Sequence, residues 1–237
     1  MALIIGVTGS IATGKSHLCT YLVEKYGAVH ADADKVVHRI YDPGRPAFGR
    51  LVEAFGGDVV GSDGFIDRKV LGGKVFGDKE KMLQLRDAIG DIPAELFDLV
   101  AGWRESLADD QVAILEAVNL LEGEYMRRLD LAWLTAAESQ TAIARLMARN
   151  NFSREEADQR LASARKWEDR APASDHVFHN DTTLQAFEQE IETVYAKTTA
   201  AHSAGDLSGP CWWEWKETQP PAPDRELPPE ERVGEPG

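Results

Sequence analysis

Basic residues are in short supply: 26 Lys and Arg stand against 40 Asp and Glu, leaving a formal net charge of −14. That balance excludes a general nucleic-acid binder, because a phosphate backbone needs a basic surface. It does not exclude a small anionic substrate held by a local cluster of cations. Cysteine is almost missing. Cys19 and Cys211 are far apart and lack metal-ligand spacing, which excludes a disulfide framework and suits a reducing cytoplasm. No apolar run approaches the ~18 residues of a membrane span. The opening "MALIIGV" is too short for a signal peptide, lacks a basic flank and leads straight into a glycine loop. A cytoplasmic protein with neither membrane nor nucleic-acid partner is expected. The N-K-x-D motif by which GTPases read their base is absent as well, and no internal repeat occurs.

What is present is ample apolar material, 43% of 237 residues, enough for one generous domain or a core with insertions. Apolar runs at residues 3–7, 112–115 and 129–134 predict strands, with shorter ones at 28–31 and 175–178. Helical patterns fill 15–26, 33–41, 45–55, 79–108, 138–150, 154–170 and 184–198. Strands alternating with helices imply an α/β fold, a parallel sheet covered by helices on both faces. From residue 201 onward the composition changes. Seven of the eleven prolines gather there with many acids, so disorder is expected over 201–237. The exception is "CWWEWK", residues 211–216, whose tryptophans call either for docking on the protein's own surface or for a partner.

One motif carries chemistry by itself. Gly9, Ser10, Ile11, Ala12, Thr13, Gly14, Lys15 and Ser16 satisfy G-x-x-x-x-G-K-[ST] between a predicted strand and a predicted helix. The four intervening residues let the backbone curl until successive N–H groups point at phosphate oxygens, and the helix N-terminus adds its positive dipole end. Lys15 would reach the β and γ phosphates, and the Ser16 hydroxyl would ligate Mg²⁺. The loop leaves the acceptor open. GTPases, ATPases and small-molecule kinases share it. A Walker-B strand would end in an acid, and the nearest candidate is "VAILEA", ending at Glu116.

The acceptor side has its own signals. The second strand closes on "HADADKVVH", so Asp32 and Asp34 fall at a strand's carboxyl end, where open α/β sheets bind ligands. Asp32 is expected to act on an acceptor hydroxyl or on Mg²⁺; Asp34 either shares that work or caps the next helix. Further along, Arg145 and Arg149 sit four residues apart on one helical face, with Ile143, Leu146 and Met147 on the other. "SREE" at 153–156 is a capping box that starts a second helix, giving a hairpin rich in Arg154, Arg160, Arg165 and Arg170. A hairpin that brings guanidinium groups over a nucleotide would exclude water and stabilise a transferring phosphoryl group.

In combination, these stretches resemble the dephospho-coenzyme A kinase family. "GVTGSIATGKSH", "DADKVVH", "DPGRPAF", "DGFIDRKVLGGKVFGD", "LEAVNLLEGEY", "ARLMARNNFSREEADQRL" and "SDHVFHND" occur in the family's order over residues 3–198. The resemblance implies a nucleoside-monophosphate-kinase-like P-loop NTPase fold with a helical acceptor-binding insertion at about 40–108 and a lid at about 140–172. It implies transfer of the γ-phosphate of ATP, with Mg²⁺, to the 3′-hydroxyl of dephospho-coenzyme A. ATP would lie against Gly9, Ala12, Thr13, Gly14, Lys15, Ser16, His17, Arg145 and Arg149. Lys15, Asp32 and Arg149 would be catalytic. Asp34, Arg68, Lys69 and Glu122 would hold the acceptor, Arg68 and Lys69 suiting its pyrophosphate. This chain departs from the family pattern at Ser10, Ala12 and His17 in the loop, at Gly90-Asp91, at Asn119, and at Ala164 in the lid. Another nucleotide or nucleoside as acceptor, or nucleotide binding without turnover, are the alternatives these departures raise.

Overall fold

The computed structural model describes residues 1–219. The chain begins with β1 (Leu3–Gly9), α1 (Lys15–Tyr26), β2 (Val29–Asp32) and α2 (Ala33–Ile40). Four helices follow: α3 (Pro46–Phe55), α4 (Arg68–Val75), α5 (Lys79–Ile89) and α6 (Ile92–Ser106). Then come β3 (Val112–Glu116), β4 (Leu131–Ala136), α7 (Ser139–Asn150), α8 (Arg154–Ala162), β5 (His176–His179), α9 (Leu184–Ala204) and α10 (Trp212–Thr218).

The five strands form one parallel sheet in the order β2-β3-β1-β4-β5. Alternation along β1 separates two cores. Leu3, Ile5 and Val7 face Leu18 and Leu22 of α1 and Phe187 and Ile191 of α9. Ile4 faces the other way, in the layer of Leu96, Val100 and Trp103 from α6. Gly6 shares that second face because a Cβ there would stand 2.5 Å from Leu120. The expected three-layer parallel α/β fold is therefore present. Helices α3, α4 and α5 close around a third, separate core that includes Leu51, Phe55, Leu71 and Val75. No helix among the described residues is long and apolar enough to cross a membrane.

Several expected elements come out differently, each for a local reason. The helix expected over 79–108 is two. Gly90, at φ +97°, ends α5, and the Asp91 carboxylate starts α6 by accepting the Ala94 N–H at 3.2 Å, with Pro93 in the first turn. Helix α4 went unpredicted, although the Asp67 carboxylate caps it by accepting the N–H groups of Lys69 and Val70. The helix expected over 154–170 stops at Ala162, leaving Arg165 and Arg170 outside it.

The expectation of disorder from residue 201 fails over the described part. Helix α9 runs on to Ala204, and Gly205 ends it in the left-handed region. Trp212 of α10 is fully buried in the core beside α6, and its indole N–H donates to Leu121 O at 2.7 Å. Truncating a buried aromatic of this kind costs about 3–5 kcal/mol. Composition averaged over 201–237 conceals so short an anchor; the prolines from Pro220 onward lie outside the described residues.

Candidate active site

The site grows from the carboxyl ends of β1, β2 and β3, where the sheet order reverses around β1. After β1 the chain turns at Gly9, where a Cβ would meet Thr135 Oγ1 at 2.3 Å; no other residue fits. Gly14 caps α1 in the left-handed region at φ +104°, and a Cβ there would strike Asn180 Nδ2 at 2.3 Å. Ala12 holds φ +60°, a conformation that costs a non-glycine residue about 1 kcal/mol or more.

The loop is fastened from beneath. The Thr13 hydroxyl lies 2.7 Å from the Thr135 hydroxyl and donates to Ser10 O at 2.9 Å. Asn180 Nδ2 donates to Thr13 O at 3.0 Å. With its side chain occupied inside, Thr13 has only its backbone to offer a phosphate. Lys15 Nζ bridges the loop mouth, donating to Gly9 O at 2.9 Å and Ser10 O at 2.8 Å. Burial lowers the Lys15 pKa, while Glu116 works the other way and Arg170 adds to the lowering.

Glu116 ends β3 in register with both Val7 and Asp32. Its Oε1 accepts the Ser16 hydroxyl at 2.9 Å, and its Oε2 lies 3.2 Å from His30 Nε2. Burial pushes this carboxyl upward, but hydrogen bonds from His30 and Ser16 and the charge of Lys15 outweigh it, so the pKa falls below the usual value. The sign follows. A folded pKa below the unfolded one adds stability that is complete above the ordinary carboxylate range and is lost as pH falls through the folded value. The melting-temperature advantage of the wild type over Glu116→Gln should therefore shrink between about pH 6 and about pH 3. An advantage that stays constant over that range would contradict the assignment. The Cys19 thiol lies beneath this carboxylate; burial and Glu116 push its pKa well up, so it stays protonated.

Two clefts open on the loop. The first, about 510 Å³, is lined by Ala12–His17 together with Arg145, Ala148 and Arg149. The second, about 620 Å³, brings Lys15, Ser16, Asp32, Asp34 and Glu116 opposite Arg149, Arg160, Arg165 and Arg170. Lys15, Ser16 and Arg149 line both. Asp32, not Asp34, caps α2: its Oδ1 accepts the Asp34 N–H at 3.0 Å.

The segment expected to form a lid is the helix pair α7 and α8, joined through Asn151 at φ +54°. The capping box at Ser153 and Glu156 is present. Ile143, Leu146 and Ala157 pack with Ile11 of the loop, so the lid rests on the loop through apolar contact; Met147 is exposed instead. Arg145 is tied down, its NH2 donating to Asn180 O at 2.8 Å and Oδ1 at 3.0 Å, and its NH1 to Ala12 O at 3.4 Å. Among the described residues Arg149 bonds only to its neighbour Asn150, at 3.0 Å, and it lines both clefts.

Other expected residues lie elsewhere. Arg68 and Lys69 line a separate depression with Gly61 and Asp67, and Arg68 NH1 sits 3.0 Å from the ring nitrogens of His38. Glu122 lines neither cleft. It backs one, its Oε1 lying 3.0 Å from Arg170 Nε and 3.5 Å from Arg165 Nε. Arg170 is the residue the motifs failed to single out. Only 2% exposed, it donates through NH2 to the Thr8 hydroxyl at 2.7 Å and to Val118 O at 2.6 Å. Burial works against its charge and Glu122 sustains it. Its sequence signal was one arginine among four in the hairpin region.

A P-loop at the carboxyl end of a parallel sheet, beneath a helical hairpin and beside a carboxylate-bearing cleft, is the arrangement of a P-loop phosphotransferase. The family model described as dephospho-CoA kinase matches residues 3–186, and α10 lies beyond that match. The dephospho-CoA kinase of Geobacter sulfurreducens is 36% identical over 195 residues, spanning 82% of this chain and 98% of its own. That of Symbiobacterium thermophilum is 33% identical over 224 residues, 88% of this chain and 92% of its own. Among solved structures, TT1252 from Thermus thermophilus superposes with a TM-score of 0.65 at 28% identity, covering 83% of this chain and 97% of that one. The chain belongs to the dephospho-CoA kinase family.

Proposed function

We propose that this protein transfers the γ-phosphoryl group of ATP to the 3′-hydroxyl of dephospho-coenzyme A, giving coenzyme A and ADP, the last step of coenzyme A synthesis. The observation that carries the reading is the junction of the two clefts. One fits a nucleotide along the loop, the other faces the Asp32 carboxylate, and Ala12, Lys15, Ser16 and Arg149 form the wall they share.

The division of labour follows from that wall. Asp32 accepts the hydrogen bond of the acceptor hydroxyl and orients the oxygen for in-line attack, taking its proton as the new P–O bond forms. Lys15 and the loop N–H groups hold the phosphates of ATP and balance the charge that passes to the leaving oxygen. Arg149, free of ties to the core, meets the equatorial oxygens from the lid, which keeps water off the phosphoryl group. Arg170 adds fixed positive charge from below. The Ser16 hydroxyl, with the Glu116 carboxylate 2.9 Å from it, supplies the hard oxygen donors that Mg²⁺ prefers. When bound there, Mg²⁺ would offset the charge of the β and γ oxygens. Arg68 and Lys69, away from the cleft, would meet only a distal part of a long acceptor. The scarcity of cysteine supports a cytoplasmic setting.

The deciding experiment incubates purified protein with ATP, Mg²⁺ and dephospho-coenzyme A and reads the product by mass. A gain of one phosphate on dephospho-coenzyme A is expected. Transfer to a nucleoside in a parallel panel instead would change the acceptor, and ATP binding without transfer would leave only a nucleotide-binding protein. His17 bears on the same assay. Its Nε2 lies 2.9 Å from Glu188 Oε1 on α9, and its ring faces Tyr21 and Phe187. The position anchors α1 to α9, so His17→Thr should change kcat by less than about threefold and lower the melting temperature by a few degrees. A large gain in kcat would show that histidine weakens the loop.

A further inference from the structure

Helix α10 lies beyond the span that the family model matches, yet it grips both sides of the pair Glu122 and Arg170. On the Glu122 side, the Trp212 indole donates to Leu121 O at 2.7 Å. Lys216 Nζ donates to the carbonyl of Glu122 itself at 3.2 Å and lies 3.5 Å from Glu124 Oε1. Arg127 stacks over Trp212 and Trp213, 5.9 and 5.2 Å from their ring centroids. On the Arg170 side, α10 packs against the short turn Ala171–Ala173 that follows the arginine directly, and Ala173 shares a buried core with Trp212. The start of the helix is pinned as well. The Cys211 N–H donates to Asp175 Oδ1 at 3.0 Å, and the other oxygen of Asp175 accepts the Ala132 N–H of β4 at 2.7 Å.

Residues 117–124 have no strand or helix of their own, so the carbonyls of Val118, Leu121 and Glu122 take side-chain donors from elsewhere. Two of those donors come from α10. Arg170 in turn depends on Glu122, the carboxylate that balances its buried charge, and its guanidinium lines the acceptor cleft. A buried charge stabilises a developing charge in proportion to how firmly it is held in place.

We propose that α10 is an intramolecular brace that sets the Glu122–Arg170 pair, with Trp212 and Lys216 as positioning residues for phosphoryl transfer. The proposal rests on the transferase reading above. It makes the C-terminal segment part of the catalytic apparatus of this chain, acting through two residues that never touch substrate.

Two full-length variants test it gently. Trp212→Phe keeps an aromatic ring in the core but removes the N–H that holds Leu121 O. Lys216→Met keeps the apolar stem and removes the donor to Glu122 O. Each should lower kcat about 5- to 20-fold while KM for ATP stays within about twofold. In a Glu122→Gln background, where the pair is already broken, either change should cost less than about twofold more. A kcat within twofold of wild type in both single variants overturns the brace, and so does a full, additive loss in the Glu122→Gln background. Trp212→Ala would risk the fold and is not needed. Wild-type transfer to dephospho-coenzyme A is measured first and tests the acceptor alone. If it is nil, the same ratios are taken on ATP hydrolysis by water, which uses the same charge-stabilising groups, so the two readings stand or fall separately.

Discussion

Lys15→Ala should abolish measurable transfer, lowering kcat on the order of 10³-fold, and should leave the protein at least as stable as the wild type. The two halves of that result come from one environment. The Lys15 ammonium is set into the loop mouth, where it donates to the carbonyls of Gly9 and Ser10 and where burial lowers its pKa. No carboxylate among the described residues forms an ion pair with it; the nearest compensation is the longer-range field of Glu116. A cation held this way destabilises the fold slightly and becomes useful when phosphate oxygens arrive. Its removal relieves the fold and disables the chemistry. Activity within tenfold of wild type would remove Lys15 from its assigned role. A clear drop in melting temperature would show that its contacts with the loop carbonyls are chiefly structural. Steady-state kinetics and a thermal melt on the same preparation read both.

Asp32→Asn should lower kcat by about 10²- to 10⁴-fold, the usual reach of a positioned general base, with KM for both substrates changed far less. The structure makes this substitution unusually clean. Asp32 caps α2 by accepting the Asp34 N–H, and asparagine caps a helix about as well as aspartate. Helix α2 should survive, while the group that accepts the hydroxyl proton is lost. Its weak pairing with Lys35, at 3.5 Å, is exposed enough to contribute little. Asp34→Asn serves as the comparison, since that side chain lines the same cleft without the capping bond. A small effect at Asp32 together with a large one at Asp34 would exchange their roles.

The phosphate loop was legible because its motif is local. Spacing, glycine and the flanking strand and helix mark it in the sequence, although Thr135 and Asn180, which fasten it, could not be read there. Asp32 was legible by position, at the end of a strand. Helical periodicity placed Arg145 and Arg149 on one face but could not tell them apart; only the fold shows Arg145 spent on Asn180 while Arg149, among the described residues, bonds only to Asn150. Glu116 appeared in the sequence merely as the acid ending an apolar strand. Its meaning needed the register that sets it beside Val7 and Asp32. Arg170 was illegible for the same kind of reason, since what distinguishes it is an ion pair with Glu122, 48 residues away. The placement of Arg68 and Lys69 was not legible either. Their charge suited an acceptor pyrophosphate, but the helix they open carries them away from the cleft. Helix α10 was masked by the composition around it.

The pairing of β1 has a consequence for synthesis on the ribosome. Although β1 emerges first, its hydrogen-bonding neighbours are β3 and β4, in registers such as Leu3 with Val112 and Ile5 with Leu131. The loop that follows it is fastened by Thr135 and Asn180. Nascent chains therefore carry an unfastened phosphate loop until Asn180 has been made. Local helices such as α3 to α5 can form long before that, whereas the central pairings must wait for non-local closure. A fastened loop needs residues as far along as Asn180, so ATP would act as a late ligand that favours the finished fold over any partial one.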